Sequence, residues 1–324
     1  MSDETILSVE NLSKVFRTGR TGWLGRKDHA VRAVDDVSFA LRRGETLGIV
    51  GESGCGKSTT ARMIVGLLKP SGGRVRFHGR DVHEDTSQDR RQVARNLQMV
   101  FQDPFSSLNP RHNVQTILSE PFRIHGIKLS SQALHQAVVE LLSLIGLDEN
   151  ALGKFPHEFS GGQRQRINIA RAIALRPEII ICDESVSALD VSIQAQILNL
   201  LRRLQAELGL TYLFVSHDLG VVRYISDRVA VMYLGRVVEI GDCDAIYRRP
   251  CHPYTRLLFS AIPADTPFER RNIAMLPAGD AAAPPGGGCA FYPRCDKASA
   301  ACRRPVPDCV LEDGRRVACH LYAG

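Results

Sequence analysis

No apolar run in this 324-residue chain approaches the roughly twenty residues that a membrane-spanning helix needs. Its opening, MSDETILSVE, lacks the basic stretch followed by an apolar one that marks a secretory signal. Together these absences predict a protein kept in the cytosol, whose dealings with a membrane go through partner subunits. Internal repeats are missing as well, which sets aside solenoids and propellers. Nor is there a strong bias of charge. A formal net charge of +6 suits an anionic membrane surface, a nucleic acid or a polyanionic ligand, and equally an ordinary solvated surface. With 44% hydrophobic residues the chain has enough apolar surface to bury a core, so extended disorder is not expected for most of it.

What is present is an alternation of short apolar strands with helical patterns. Residues 6–9 and 34–41 alternate as strands, with a Gly- and Arg-rich loop at 17–29 between them. Buried strands are expected at 46–50, 97–101, 179–182 and 211–215, and further strands near 229–232 and 237–240. Helical spacing covers 57–68, 114–144, 161–175, 192–207, 219–225 and 254–261. This order predicts an α/β fold with a mostly parallel sheet and helices on both faces. A Pro- and Gly-rich linker at 276–288 then leads into a cysteine-rich end.

Three motifs carry chemistry. Gly51-Glu52-Ser53-Gly54-Cys55-Gly56-Lys57-Ser58, followed by Thr59, fits G-x-x-x-x-G-K-[ST] between a predicted strand and a predicted helix. Its glycines let backbone N–H groups curl around phosphate oxygens. Lys57 reaches the β- and γ-phosphates, and the Ser58 hydroxyl ligates Mg²⁺. The apolar run IIICDE ends in Asp183, placed to orient Mg²⁺, and Glu184, placed to polarise a water as general base. Ser160-Gly161-Gly162-Gln163 opens a helix and so forms a second anion-binding N-terminus. One ATP needs a single such terminus, so the second makes sense as half of a neighbouring subunit's site.

With these motifs in one chain, the sequence resembles the ABC ATPases. Within them it is similar to the ATP-binding subunits of bacterial oligopeptide/dipeptide importers, most like the second of their two paired ATPases. The likeness spans nearly the whole chain, including Ser107-Leu108-Asn109-Pro110-Arg111 and His252-Pro253-Tyr254-Thr255-Arg256 through Ile262-Pro263. The resemblance implies a P-loop NTPase core over 1–250 with an antiparallel β edge and a helical subdomain at 105–165. It implies as well a small metal-binding appendage within the extension at 251–324. It also implies that Phe16 stacks on adenine and that Gln102 senses Mg²⁺ and the γ-phosphate while facing the membrane partner. By the same resemblance residues 160–163 would grip ATP across a dimer, and residues 187–190, ending in Asp190, would cross the dimer interface. Glu184 matches the catalytic carboxylate, and His217 matches the histidine that contacts the γ-phosphate. Where the family commonly has proline after that glutamate, this chain has Ser185.

Five of the nine cysteines crowd the end, and in a reducing compartment such a cluster favours metal over disulfides. Cys289, Cys295, Cys302 and Cys319 match the importer branch's C-terminal motif, which implies a [4Fe–4S] cluster; zinc is the alternative, and Cys309 is an extra thiol. The implied partners are a paralogous ATPase in a heterodimer, two transmembrane permease subunits and an extracytoplasmic substrate-binding protein. The expected location is peripheral, on the cytoplasmic face of the plasma membrane. Nickel or glutathione import is the alternative within this branch. A soluble ABC ATPase acting on nucleic acid is the alternative outside it, opposed by the single ATPase core, the lack of a coiled-coil insertion and the importer-like tail. A phosphate-binding module without catalysis is opposed by intact Glu184 and His217.

Overall fold

The computed structural model describes residues 4–18, 29–83, 87–103, 107–260 and 288–323. The chain begins with two long strands, β1 (Thr5–Thr18) and β2 (His29–Arg42). There follow β3 (Thr46–Val50), α1 (Lys57–Ile64), β4 (Gly72–Phe77), β5 (Arg80–Asp81), α2 (Ser87–Asn96) and β6 (Leu97–Val100). The middle is helical: α3 (Val114–Ile124), α4 (Ser131–Leu144) and α5 (Gly161–Ile173). Alternation then returns with β7 (Ile179–Asp183), α6 (Val191–Leu208), β8 (Thr211–Val215), α7 (Leu219–Ile225), β9 (Arg228–Tyr233) and β10 (Arg236–Asp242). Two short helices, α8 (Cys243–Arg248) and α9 (Pro253–Ser260), precede two three-residue strands, β11 (Asp308–Val310) and β12 (Arg316–Ala318).

The strands make two sheets. β2-β1-β4-β5 is antiparallel, while the larger sheet runs β11-β12-β10-β9-β3-β8-β7-β6. In the larger sheet β3, β6, β7, β8 and β9 pair in parallel, and β10, β12 and β11 add antiparallel strands at one edge. Parallel strands buried on both faces need apolar residues on both, and β7 shows how they are shared. Ile179 and Ile181 enter a core packed with α1 and the smaller sheet, whereas Ile180 and Cys182 enter the core packed by the helices. The functional loops leave the carboxyl ends of β3, β7 and β8, where α/β sheets place their ligands.

The helical stretch expected at 114–144 is two helices. Gly126, at φ +67°, follows the end of α3, and Ser130 caps α4 through a bond from the Ala133 N–H. The helix expected over 57–68 stops at Ile64, and the strand expected over 97–101 stops at Val100. The cysteine-bearing end is less of an appendage than its composition suggests. β12 pairs with β10, Glu239 opposite Val317 and Ile240 opposite Arg316, so the end extends the main sheet. Most of the loop at 17–29 and the linker at 276–288, together with Phe105, Ile262 and Pro263, lies outside the described residues.

Candidate active site

The phosphate loop follows β3 directly. Gly51 has φ +155°, and a Cβ there would meet the Met232 carbonyl oxygen at 2.2 Å, so only glycine lets the chain turn over the end of β9. Gly54 and Gly56 also have positive φ, and Gly56 lies against the Ala33 carbonyl of β2. The Gly235 N–H donates to Cys55 O and the Asp35 N–H to Gly235 O, both at 2.9 Å, which ties the two sheets together beneath the loop. Lys57 is buried, its ammonium donating to the carbonyls of Gly51 (2.8 Å) and Glu52 (3.0 Å). Ser53 and Gly54 are exposed and Ser58 and Thr59 half-buried, so the loop's crest faces solvent. Burial pushes the Cys55 thiol up, so it stays protonated among its neighbours.

Beside the loop, residues far apart in sequence meet. The Ser58 hydroxyl donates to Asp183 Oδ1 at 2.7 Å, joining the two residues expected at Mg²⁺. Asp183 is buried, and that burial pushes its carboxyl up, partly opposed by the Ser58 bond. Glu184 follows in a left-handed conformation, φ +49°, which an L-residue adopts only when its surroundings enforce it. Its own N–H donates to Val215 O at 2.9 Å, and its side chain stays 17% exposed. Gln102 Nε2 donates to Glu184 Oε2 at 2.9 Å, and His217 Nδ1 lies 3.4 Å from the same oxygen. Thus Lys57, Ser58, Gln102, Asp183, Glu184 and His217 form one constellation, able to hold a phosphate–magnesium unit with a carboxylate beside it. Ser185 is buried, its carbonyl accepting from Gln165 Nε2 at 2.7 Å, which locks this loop to α5.

Phe16 is 40% exposed near the end of β1, with Lys14 Nζ 5.4 Å from its ring centre. It pairs with Val31, two residues along β2 from Ala33, and so lies towards the Gly56 end of the phosphate loop.

The second anion-binding turn is built but stands apart. Ser160 caps α5 reciprocally: its hydroxyl accepts from Gln163 N at 3.3 Å, and Gln163 Oε1 accepts from Ser160 N at 3.0 Å. Ser160 and Gln163 are exposed; Gly162 is buried, and a Cβ on it would meet Ile193 of α6 at 2.5 Å. Among the described residues, no hydrogen bond or ion pair joins residues 160–163 to the phosphate loop, Asp183 or Glu184. Asp190, at the start of α6, is exposed, and the next residue, Val191, is 82% exposed.

In the cysteine-bearing end, Cys289, Cys295, Cys302 and Cys319 line one cavity with His252 and His320; Cys309 does not. Burial raises the thiols of Cys289, Cys295 and Cys319, the last to about 11, and the facing cysteines push Cys319 further in the same direction. Left to themselves these thiols stay protonated, so what speaks for a bound group is that four of them line one cavity. Among the described residues, however, no three His, Cys, Asp or Glu side chains are placed to hold a metal ion, so the expected metal centre is not laid out as a formed ligand shell.

Sequence reasoning overlooked two residues that touch the phosphate loop from the far end of the chain. The Glu52 N–H donates to the Tyr254 hydroxyl at 3.0 Å, and Arg294 pairs with the Glu52 carboxylate at 3.3 Å. Tyr254 lies in the run His252-Pro253-Tyr254-Thr255-Arg256 and Arg294 stands directly before Cys295, and nothing local in either stretch points to the phosphate loop.

Comparison with known proteins places these features. Residues 34–187 match the ABC transporter family model, and residues 238–302 match the model for the oligopeptide/dipeptide transporter C-terminal region. The chain is 49% identical to the oligopeptide transport ATP-binding protein AppF of Bacillus subtilis, over 99% of each protein. It is also 49% identical to OppF of Salmonella typhimurium, over 91% of this chain and 88% of that protein. Among solved structures, the MJ0796 ATP-binding cassette dimer bound to ADP and Pi superposes with a TM-score of 0.64 at 28% identity, covering 73% of this chain and 98% of that one. CbiO1 of Clostridium perfringens, part of the cbiONQ transporter, gives a TM-score of 0.65 at 29% identity over 76% and 92% of the two chains.

Proposed function

The chain belongs to the ABC transporter ATPases, in their oligopeptide-transport branch, and from that premise we propose that it hydrolyses ATP to drive import of oligopeptides through partner permeases. The observation that carries this reading is the meeting of Ser58, Gln102, Asp183, Glu184 and His217 beside the phosphate loop. Lys57 and the loop amides hold the β- and γ-phosphates, and Phe16 stacks on the base. Ser58, Asp183 and Gln102 would hold Mg²⁺, which neutralises charge on the transferred phosphoryl group. Glu184 orients a water and accepts its proton, and His217 contacts the γ-phosphate.

The exposed turn at 160–163 supports a head-to-tail dimer with a paralogous ATPase. Each subunit's phosphate loop then faces the other's residues 160–163, and Asp190 lies at the seam. A groove beside Gln102 supports docking of the permeases. It carries Leu67, Phe101 and Ile124, of which Leu67 and Ile124 are 63% and 66% exposed. Among the described residues no helix is long and apolar enough to cross a membrane, so attachment to the membrane's cytoplasmic face goes through those permeases. An extracytoplasmic binding protein delivers the peptide to them.

For the cysteine cavity we favour a [4Fe–4S] cluster held by Cys289, Cys295, Cys302 and Cys319 over a zinc ion. Four thiols share one cavity, the donor number of such a cluster, and their spacing resembles the importer branch's cysteine motif. Its contribution would be to brace a segment too small to bury a core of its own. Anaerobically purified protein is expected to carry about four irons per chain, a full [4Fe–4S] complement; one zinc and no iron would contradict the reading.

The catalytic assignment is tested with Glu184→Gln, an isostere that keeps a hydrogen-bonding oxygen and loses the base. Nucleotide binding is expected to persist while turnover drops by about 10²–10⁴-fold. Near-normal turnover would remove Glu184 from its role.

A further inference from the structure

We propose that Arg294 and Tyr254 are positioning residues of the phosphate loop, acting through Glu52, so that the segment beyond residue 250 sets the chain's affinity for ATP. The inference rests on the phosphate-loop assignment above and adds residues that the assignment does not contain.

Glu52 is the one acidic residue in Gly51-Glu52-Ser53-Gly54-Cys55-Gly56-Lys57-Ser58. A carboxylate beside a bound triphosphate repels it unless a cation answers the charge. Arg294 supplies that cation from 242 residues away, through a two-pronged contact: Nη1 to Oε2 and Nη2 to Oε1, each 3.3 Å. The guanidinium is itself held in place. It lies 5.9 Å from the Tyr233 ring centre and 5.7 Å from that of Phe291, and only 21% of the side chain is exposed. An isolated surface pair would lose most of its effect to side-chain freedom, but this one has a fixed fork on an aromatic floor.

The backbone of the same residue is tied as well. The Glu52 N–H donates to the fully buried Tyr254 hydroxyl, and the Glu52 carbonyl accepts from the Lys57 ammonium and from Cys55 N. Two of the groups that hold residue 52 therefore come from the C-terminal segment, and they grip a loop whose three glycines leave it little stiffness of its own. Ordering the loop before nucleotide arrives removes part of the entropy loss of binding.

The test is the dissociation constant of a fluorescent ATP analogue on the full chain, with thermal melting alongside. Arg294→Ala is expected to weaken binding about two- to five-fold, the range that one oriented charge pair supports. The ATP KM should rise by a similar factor with kcat unchanged. Removing Glu52 as well, in E52A/R294A, should bring no further loss, because the unpaired carboxylate is gone. Arg294→Lys keeps the charge without the fork and should fall between wild type and alanine; it serves also where the alanine variant does not fold. Tyr254→Phe, a buried and conservative change, should weaken binding in the same direction. Unchanged affinity in Arg294→Ala overturns the proposal, as does a lower melting temperature without a change in affinity, or losses from E52A and R294A that simply add. Lys57→Ala, measured in parallel, tests the loop assignment itself. If it alone abolishes binding, the loop stands and the role of Arg294 falls.

Discussion

Replacing Gly162 by alanine separates the second anion-binding turn from the first in a way that can be worked out from distances. The new Cβ would sit 2.5 Å from Ile193 Cγ2, where carbon atoms prefer about 3.5–4.0 Å. Ile193 is β-branched and stiff at χ1, and it sits in the first turn of α6, so it cannot swing clear. The starts of α5 and α6 must therefore part by about 1 Å. Overpacking of this kind costs about 1–3 kcal/mol, and alanine's better helix propensity returns up to about 1 kcal/mol. A net loss of about 1–2 kcal/mol lowers the melting temperature by roughly 1.5–3 °C, at an unfolding entropy of about 2.1 cal/mol/K per residue over 324 residues. Gly161→Ala is the control, because its Cβ would meet only Leu189 Cδ2 at 3.5 Å, an ordinary contact. The functional loss should exceed the stability loss. A 1 Å misplacement of a group that grips ATP lowers turnover by about 10²-fold, whereas ATP binding by the chain's own phosphate loop should not change. The assay is ATP turnover of the assembled transporter beside nucleotide binding by the isolated chain. Wild-type turnover in Gly162→Ala, or equal melting shifts for the two alanine variants, would refute the reasoning.

A second prediction concerns how the cysteine-bearing end is fastened. Glu239 is fully buried on β10; its carboxylate accepts from Cys251 N and His252 N and lies 3.6 Å from Arg315 Nη1. Glu239→Ala would leave two buried N–H groups and a buried guanidinium short of a partner, at a loss of about 3–5 kcal/mol read by urea unfolding. Glu239→Gln, which keeps an acceptor, should lose less. Equal stability of the alanine variant and wild type would mean that Arg315 is satisfied by Asp313 and the Arg249 carbonyl alone.

The site was largely legible because its parts are local. The strand–turn–helix at 46–64, the capped start of α5 and the apolar strand ending in Asp183 each announce themselves within a few residues. The convergence of Gln102 and His217 on Glu184 was expected from resemblance, since nothing local in either segment points across the sheet. What escaped is what tertiary pairing decides. β11 and β12 are three residues each, too short for a periodic signal, and their place beside β10 depends on contacts from some 75 residues earlier in the chain. β1 and β2 extend well beyond their alternating segments because register shifts break the period that would have marked them. The break between α3 and α4 is marked by Gly126 and by the Ser130-Ser131 start signal, yet apolar spacing continues through it and masks the gap. The Arg294–Glu52 pair joins a phosphate loop to a cysteine motif, two features read separately in the sequence.

The central claim is that ATP hydrolysis at this site moves peptide. Its most direct test is uptake of a labelled oligopeptide by vesicles holding the chain with its partner ATPase, permeases and binding protein, alongside phosphate release. The account predicts that uptake requires ATP in the wild-type complex and that both uptake and phosphate release fall to background when Glu184→Gln replaces the native residue. ATP hydrolysis that moves no peptide, or peptide uptake undiminished by Glu184→Gln, would contradict it.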